Sequence, residues 1–141
     1  MPQDVDDAPN SEPSIRKGQP AVRTLAMPAD TNPSGDIFGG WVIAQMDIAA
    51  GVVAAQRAHG RVATVALDGI HLHLPIYVGD LVSCHADVVR IGRSSMTIKV
   101  ETFATRSTTG EEVKVTEGHF TMVAIDAEGR PRPVPDQSRA K

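Results

Sequence analysis

The chain predicts an α+β domain in which a curved antiparallel β-sheet wraps around one long central α-helix. Three observations carry that prediction. Val42 to Ala55 is a run whose only polar side chains are Gln45 and Asp47, and a helix apolar nearly all round is a buried one. Four strand-like segments follow, joined by short turns such as Ile91-Gly92-Arg93-Ser94, which make neighbouring strands antiparallel. One face of a flat sheet cannot cover such a helix. The sheet must curl around it, or a second subunit must cover the remainder, so the same pattern predicts an oligomer.

The elements read in order as follows. Residues 1–19 are polar, acidic and Pro-rich and are expected to be a disordered tail. The domain proper is expected over 20–127. Ala21 to Met27 is a short first strand. Gly39 to His59 is the helix, about 30 Å long at 1.5 Å per residue, with Gly60 marking its end. Gly51 inside it costs helix propensity and points to close packing against another backbone. The strands are Arg61 to Leu74, Asp80 to Ile91, Ser94 to Thr105 and Val113 to Ile125. In the third of these, Met96, Ile98 and Val100 alternate with Thr97, Lys99 and Glu101, the period of a half-buried strand. In the last, apolar parity switches after Val115, which predicts a bulge near Gly118. Residues 128–141 hold Pro131, Pro133 and Pro135 and are expected to be a second disordered tail.

Composition narrows the chemistry. A net charge of −3 over 141 residues gives no sign of a general nucleic-acid binder. The single cysteine, Cys84, excludes an internal disulfide and a cysteine-cluster metal site, and suits a reducing compartment. No apolar run is long enough for a convincing membrane span, and the N-terminus lacks the pattern of a signal peptide. A cytoplasmic protein without membrane or nucleic-acid partners is the expectation.

Asp47 is the leading catalytic candidate. A carboxylate in an apolar helix is costly to desolvate unless paired, hydrogen-bonded or protonated, and such groups concentrate at functional sites. It suits a general base or a nucleophile. Just upstream, Asn32-Pro33-Ser34-Gly35-Asp36-Ile37-Phe38-Gly39-Gly40-Trp41 is a Gly-rich loop running into the helix. Backbone N–H groups of Gly39 and Gly40 at a helix start can bind an oxygen on which charge develops, and Gly lets a substrate approach closely. Gly40 is the candidate oxyanion donor, with Gly39 and Phe38 as candidate substrate contacts. Asp30 and Asp36 read as loop caps or ion-pair partners.

Arg23 to Asn32, then Gly35-Asp36-Ile37-Phe38-Gly39-Gly40-Trp41, then Gln45-Met46-Asp47, resembles the YciA-type acyl-CoA thioesterases of the hotdog fold. The likeness continues through Ala58-His59-Gly60-Arg61-Val62, through Pro75 with Val78-Gly79-Asp80, and through Val115-Thr116-Glu117 to Val123-Ala124-Ile125-Asp126. It covers roughly residues 22–135. The resemblance implies hydrolysis of acyl-CoA to a free acid and CoA, with CoA as part of the substrate and no separate cofactor. It implies sites between two subunits and a trimer of dimers. By position it makes Asp47 the catalytic acid and Asn32 a polar residue that places the reacting groups; on the residues alone, Asn32 before Pro33 reads as a turn residue. One departure is visible. The family often has Lys or Arg before the proline matching Pro75, where this chain has Leu74.

CoA carries phosphates, so cations near the site matter. Arg93, with the hydroxyls of Ser94 and Ser95 after it, makes the first candidate contact and Arg61 the second. His71 and His73 would share a strand face as two metal ligands do, but they and His85 find no third ligand, so no metal site is expected. Cys84 reads as a buried apolar residue. Two rival functions remain on the same fold: a non-catalytic acyl-CoA binder or sensor, and an enoyl-CoA hydratase or dehydratase. The second needs a His–acid pair, and no histidine lies in the loop–helix segment.

Overall fold

The computed structural model describes residues 14–16 and 18–136. One helix, α1 (Gly39–Ala58), lies on a five-stranded sheet. The strands are β1 (Val22–Leu25), β2 (Val62–Asp68), β3 (Leu81–Ile91), β4 (Ser95–Thr105) and β5 (Glu112–Ala124). Their order across the sheet is β1-β3-β4-β5-β2, and every neighbouring pair is antiparallel. The sheet curls around the helix as the apolar pattern requires. Alanines on the inner face of α1, at 49, 50, 54 and 58, are fully buried and let its backbone approach the sheet. Met46 fills the gap between them and Met96, Ile98, Val100, Phe120 and Met122.

Among the described residues nothing covers the other side of α1. Ile48 is 53% exposed and Val52 40%. Beside them β2 is an edge strand, with Val65 58% and Leu67 48% exposed. A contiguous apolar surface of this kind marks an interaction site. Gly51 has open space around it, so the close approach its presence suggested is not to this chain's own backbone.

Several boundaries differ from the sequence reading, each for a local reason. The helix ends at Ala58, and His59 rather than Gly60 takes the left-handed conformation at φ 54°. Gly60 is needed for space instead: a Cβ there would lie 2.6 Å from the Arg132 guanidinium, which donates to the Ala58 carbonyl. The segment expected to run as strand to Leu74 leaves the sheet after Asp68, where Gly69 turns with φ 70°. The β5 bulge falls at Val115, the residue skipped between Thr116 opposite Thr102 and Lys114 opposite Phe103. Gly118 is required for a different reason, because a Cβ there would sit 2.4 Å from Ile70.

The C-terminal segment is not a loose tail as far as residue 136. Arg132 N–H bonds the Ala124 carbonyl, Val134 N–H bonds the Arg93 carbonyl, and the Arg57 guanidinium holds the Pro135 carbonyl. Of the expected N-terminal tail, residues 1–13 and 17 lie outside the described residues. Ser14 and Ile15 cross the outer face of the sheet and donate to the buried Glu101 carboxylate at 2.7 and 3.2 Å.

Candidate active site

The loop of residues 32–38 is built around Asn32. Its side-chain oxygen accepts from Ser34 N–H and Asp36 N–H at 2.9 and 3.2 Å, and its own N–H donates to the Asp36 carbonyl. The turn role read from Asn32-Pro33 is therefore real, and it leaves the side-chain NH2 as the group available to a ligand. Asp30 Oδ2 accepts from Met27 N–H and caps the preceding turn. Ile37 and Phe38 then fasten the loop to Ile76 and Asp30 through backbone bonds, and the chain enters α1 at Gly39.

At the helix start, Trp41 and Val42 N–H both turn back to the Phe38 carbonyl. Gly39 and Gly40 N–H have no acceptor among the described residues. These are the orphan donors of a helix N-terminus, where the helix dipole favours negative charge. A Cβ at Gly39 would meet Leu72 at 3.0 Å, whereas Gly40 has nothing within 4 Å. Phe38 is 54% exposed beside them.

A cavity of about 300 Å3 opens at this point. Asn32, Asp36 and Gly39 form its polar wall, Ile37, Val42, Leu72 and Ile76 its apolar floor, and His73 and Leu74 its far side. The far wall is fixed by a buried ion pair. Arg106 donates to Asp80 Oδ2 at 2.6 Å and to the Pro75 carbonyl at 2.9 Å, and the Asp80 side chain is 3% exposed. Sequence reasoning missed Leu72, His73 and Arg106, because the contacts that recruit them join the 69–80 segment to α1, to β5 and to the end of β4.

Asp47 does not line this cavity. It lies two helical turns further on, about 10 Å along the axis from Gly40. It is half-buried within the chain, not enclosed, because the helix side it shares with Ile48 is open. One carboxylate oxygen, Oδ1, accepts the Thr64 hydroxyl at 2.6 Å.

The remaining candidates separate. Arg93, Ser94, Pro131, Arg132 and Pro133 line a second cleft of about 160 Å3 near the C-terminal end of α1. Ser95 opens β4, with its hydroxyl packed against Gly92. Arg61 donates to the carbonyls of Asp126 and Ala127 at 3.4 and 3.3 Å. His71 and His73 are off the sheet, their rings stacked at 6.1 Å. Among the described residues no three His, Cys, Asp or Glu gather as metal ligands. Burial pushes the Cys84 thiol up to about 11, against a weak lowering by Thr102, so it is not a nucleophile near neutral pH. His85 faces away from Cys84 across the sheet. Burial first, then the Arg16 charge, holds it below the usual histidine range.

Among the described residues no helix is long and apolar enough to cross a membrane. Residues 34–111 match the model of the thioesterase superfamily. The chain is 46% identical over 124 residues to the acyl-CoA thioester hydrolase YciA of Salmonella typhimurium, covering 86% of this chain and 93% of that one. It resembles the crystal structure of a hexameric broad-specificity acyl-coenzyme A thioesterase with a TM-score of 0.81 at 45% identity, over 92% of this chain and 88% of that one. That enzyme has also been solved as an aspartate-to-alanine mutant. A hexameric hotdog-fold thioesterase of Campylobacter jejuni matches with a TM-score of 0.80 at 36% identity, over 84% of this chain and 91% of that one. The overall fold agrees with these neighbours, and the chain belongs to the thioesterase superfamily, as a hotdog-fold acyl-CoA thioester hydrolase of the YciA type.

Proposed function

We propose that the chain hydrolyses acyl-CoA at a site assembled from two subunits. Asn32 and Gly39 of one subunit and Asp47 of another would make up each site. The observation that carries this reading is the separation within one chain: orphan N–H donors and a cavity at the helix start, and the carboxylate about 10 Å away on the uncovered side of the same helix. Reacting atoms must come within about 3–3.5 Å of one another. A two-fold contact over the open face of α1 and β2, which carries Ile48, Val52, Val65 and Leu67, is self-complementary, and in this reading it brings Asp47 of one chain to the helix start of the other. Three such dimers would make a hexamer, and the structural neighbours are hexameric.

The chemistry follows from the parts. The thioester carbonyl oxygen takes the Gly39 and Gly40 N–H donors, placed where charge develops. Asp47 of the other subunit removes a proton from water, and the hydroxide attacks the carbonyl carbon. The tetrahedral intermediate collapses by breaking the C–S bond. A thiolate is a good leaving group, since a thiol ionises near ~8.5, so little acid assistance is needed. The acyl chain lies against Ile37, Val42, Leu72 and Ile76. No metal or cofactor enters these steps.

A screen over a panel of acyl-CoAs with released thiol as readout tests the activity. Turnover excludes a mere binder or sensor. Formation of a hydroxyacyl product from an enoyl-CoA, with no thiol released, would favour the hydratase reading instead.

Two variants test the parts. Gly40→Val is expected to depress kcat at least ~10²-fold, the size of losing an oxyanion donor. The melting temperature should change little, because a Cβ there meets nothing. A fall in melting temperature with kinetics near wild type would make Gly40 a helix-start residue only. Arg93→Ala is expected to raise KM for acyl-CoA several-fold with kcat little changed, because phosphate contacts are made equally in ground and transition states. The defect should vanish with an acyl-pantetheine thioester, which lacks the nucleotide phosphates. A defect of equal size on both substrates would place the phosphate contacts elsewhere.

A further inference from the structure

The far wall of the cavity carries a group that the steps above do not use. His73 lines the cavity together with Asn32, Asp36 and Gly39, and it is partly buried there. Its neighbours in the segment, Leu72, Leu74 and Ile76, are the apolar residues that suit an acyl chain. A leucine in place of His73 would extend that surface; an imidazole interrupts it with hydrogen-bonding nitrogens. The segment is pinned on both sides of the ring. His73 N–H donates to the Val115 carbonyl at 3.1 Å. The Thr116 hydroxyl donates to the His71 carbonyl at 2.6 Å, and the His71 ring stacks on that of His73. Further along, Arg106 fixes the Pro75 carbonyl at 2.9 Å. A polar group held in place at the wall of a ligand cavity sets which ligand fits it.

We infer that His73 is a specificity-determining residue, and that the acyl group it selects is a short one bearing a hydroxyl. This inference rests on the reading of the cavity as the acyl slot. At about 300 Å3 the cavity is at the small end of ligand pockets, which suits a short chain. A hydroxyl both donates and accepts, so it pairs with the imidazole in either tautomer. An unsubstituted chain displaces water from that imidazole and returns no hydrogen bond. A carboxylate-bearing chain fits less well, because Asp36 shares the cavity and like charges repel.

The test is thiol release from 3-hydroxybutyryl-CoA (both enantiomers), butyryl-CoA and succinyl-CoA, whose acyl groups are equal in carbon count. The ratio of kcat/KM for hydroxybutyryl-CoA to that for butyryl-CoA is measured in the full-length protein and in two variants. The hydroxyl alters the reactivity of the thioester itself, so the change in ratio between proteins carries the result. His73→Leu should lower the ratio roughly five- to thirtyfold, the effect of removing a polar group that only one substrate satisfies. A general structural defect slows all the substrates together and leaves the ratio alone. His73→Gln keeps a donor and an acceptor and should hold the ratio within a few-fold of wild type. An unchanged ratio in His73→Leu, or equal falls in the Leu and Gln variants, would overturn the assignment. A wild-type preference for succinyl-CoA that His73→Leu removes would overturn it too, in favour of a carboxylate. If His73→Leu fails to assemble, His73→Ala, which adds no bulk, is read by the same outcomes. Thiol release from none of the substrates by the wild type means that the hydrolase reading itself fails; release with a ratio unmoved by His73→Leu means that only the His73 inference fails.

Discussion

Asp47→Asn is expected to abolish acyl-CoA hydrolysis while leaving assembly and substrate binding near wild type. The geometry makes this an unusually clean substitution. Asn is close to Asp in size, and its side-chain oxygen can still accept the Thr64 hydroxyl that now holds Asp47 Oδ1. Met46 and Ala49, on either side in sequence, carry the packing against the sheet, so the core is untouched. What is lost is the ability to take a proton, or to attack. General-base assistance is worth ~10²–10⁴-fold, and the loss in kcat should fall in or above that range. Thiol release measures the rate, isothermal titration with a slowly hydrolysed acyl-CoA the binding, and light scattering the mass. A purified variant that turns over at the wild-type rate removes Asp47 from the mechanism. Single-turnover hydrolysis in 18O-water then separates base from nucleophile. Only direct attack by Asp47 leaves label in the aspartate after one turnover.

A charge on the open helix face is expected to be as damaging by a different route. Val52→Glu and Leu67→Glu each put a carboxylate into the uncovered apolar surface formed by α1 and β2. Neither position touches the fully buried core, since Val52 is 40% and Leu67 48% exposed. A single chain should therefore tolerate both. Burying an unpaired charge at an apolar contact costs several kcal/mol, and two-fold symmetry repeats that cost on both sides of the contact. Light scattering at micromolar concentration should show a shift towards single chains. Hydrolysis should fall with it, because the proposed site needs Asp47 of one chain to meet Asn32 and Gly39 of another. A variant with the mass of one chain and full activity would show that each chain holds a complete site.

The helix was legible in the sequence because its apolar pattern is a local property. So were Asp47, which stands out in an apolar run, and the orphan donors at Gly39 and Gly40, which follow from a Gly-rich entry with no capping side chain. The alternation in β4 and the short β3–β4 turn made the antiparallel pairing readable for the same reason. The open apolar face was legible as a deficit: too much apolar helix for one sheet to cover.

What escaped was non-local. Pro131, Pro133 and Pro135 argued against regular structure, and singly each does. Their spacing of two leaves the N–H donors of Arg132 and Val134 free to bond to Ala124 and Arg93, so the prolines fall where no donor is used. The β5 bulge was displaced from Gly118 to Val115, because Gly118 is demanded by the close approach of Ile70 across the sheet. The sheet order, with β2 beyond β5 at one edge, places Thr64 beside Asp47 although 17 residues separate them.

Residue types and local periodicity thus determined the helix, the strands, the carboxylate and the donors at the helix start, since each depends on neighbours within a few turns. The tertiary structure alone decided that Asp47 is separated from its own chain's cavity and tethered to Thr64. Those facts depend on strand order, bulge position and the side of α1 left open, which are set by contacts between segments far apart in the chain.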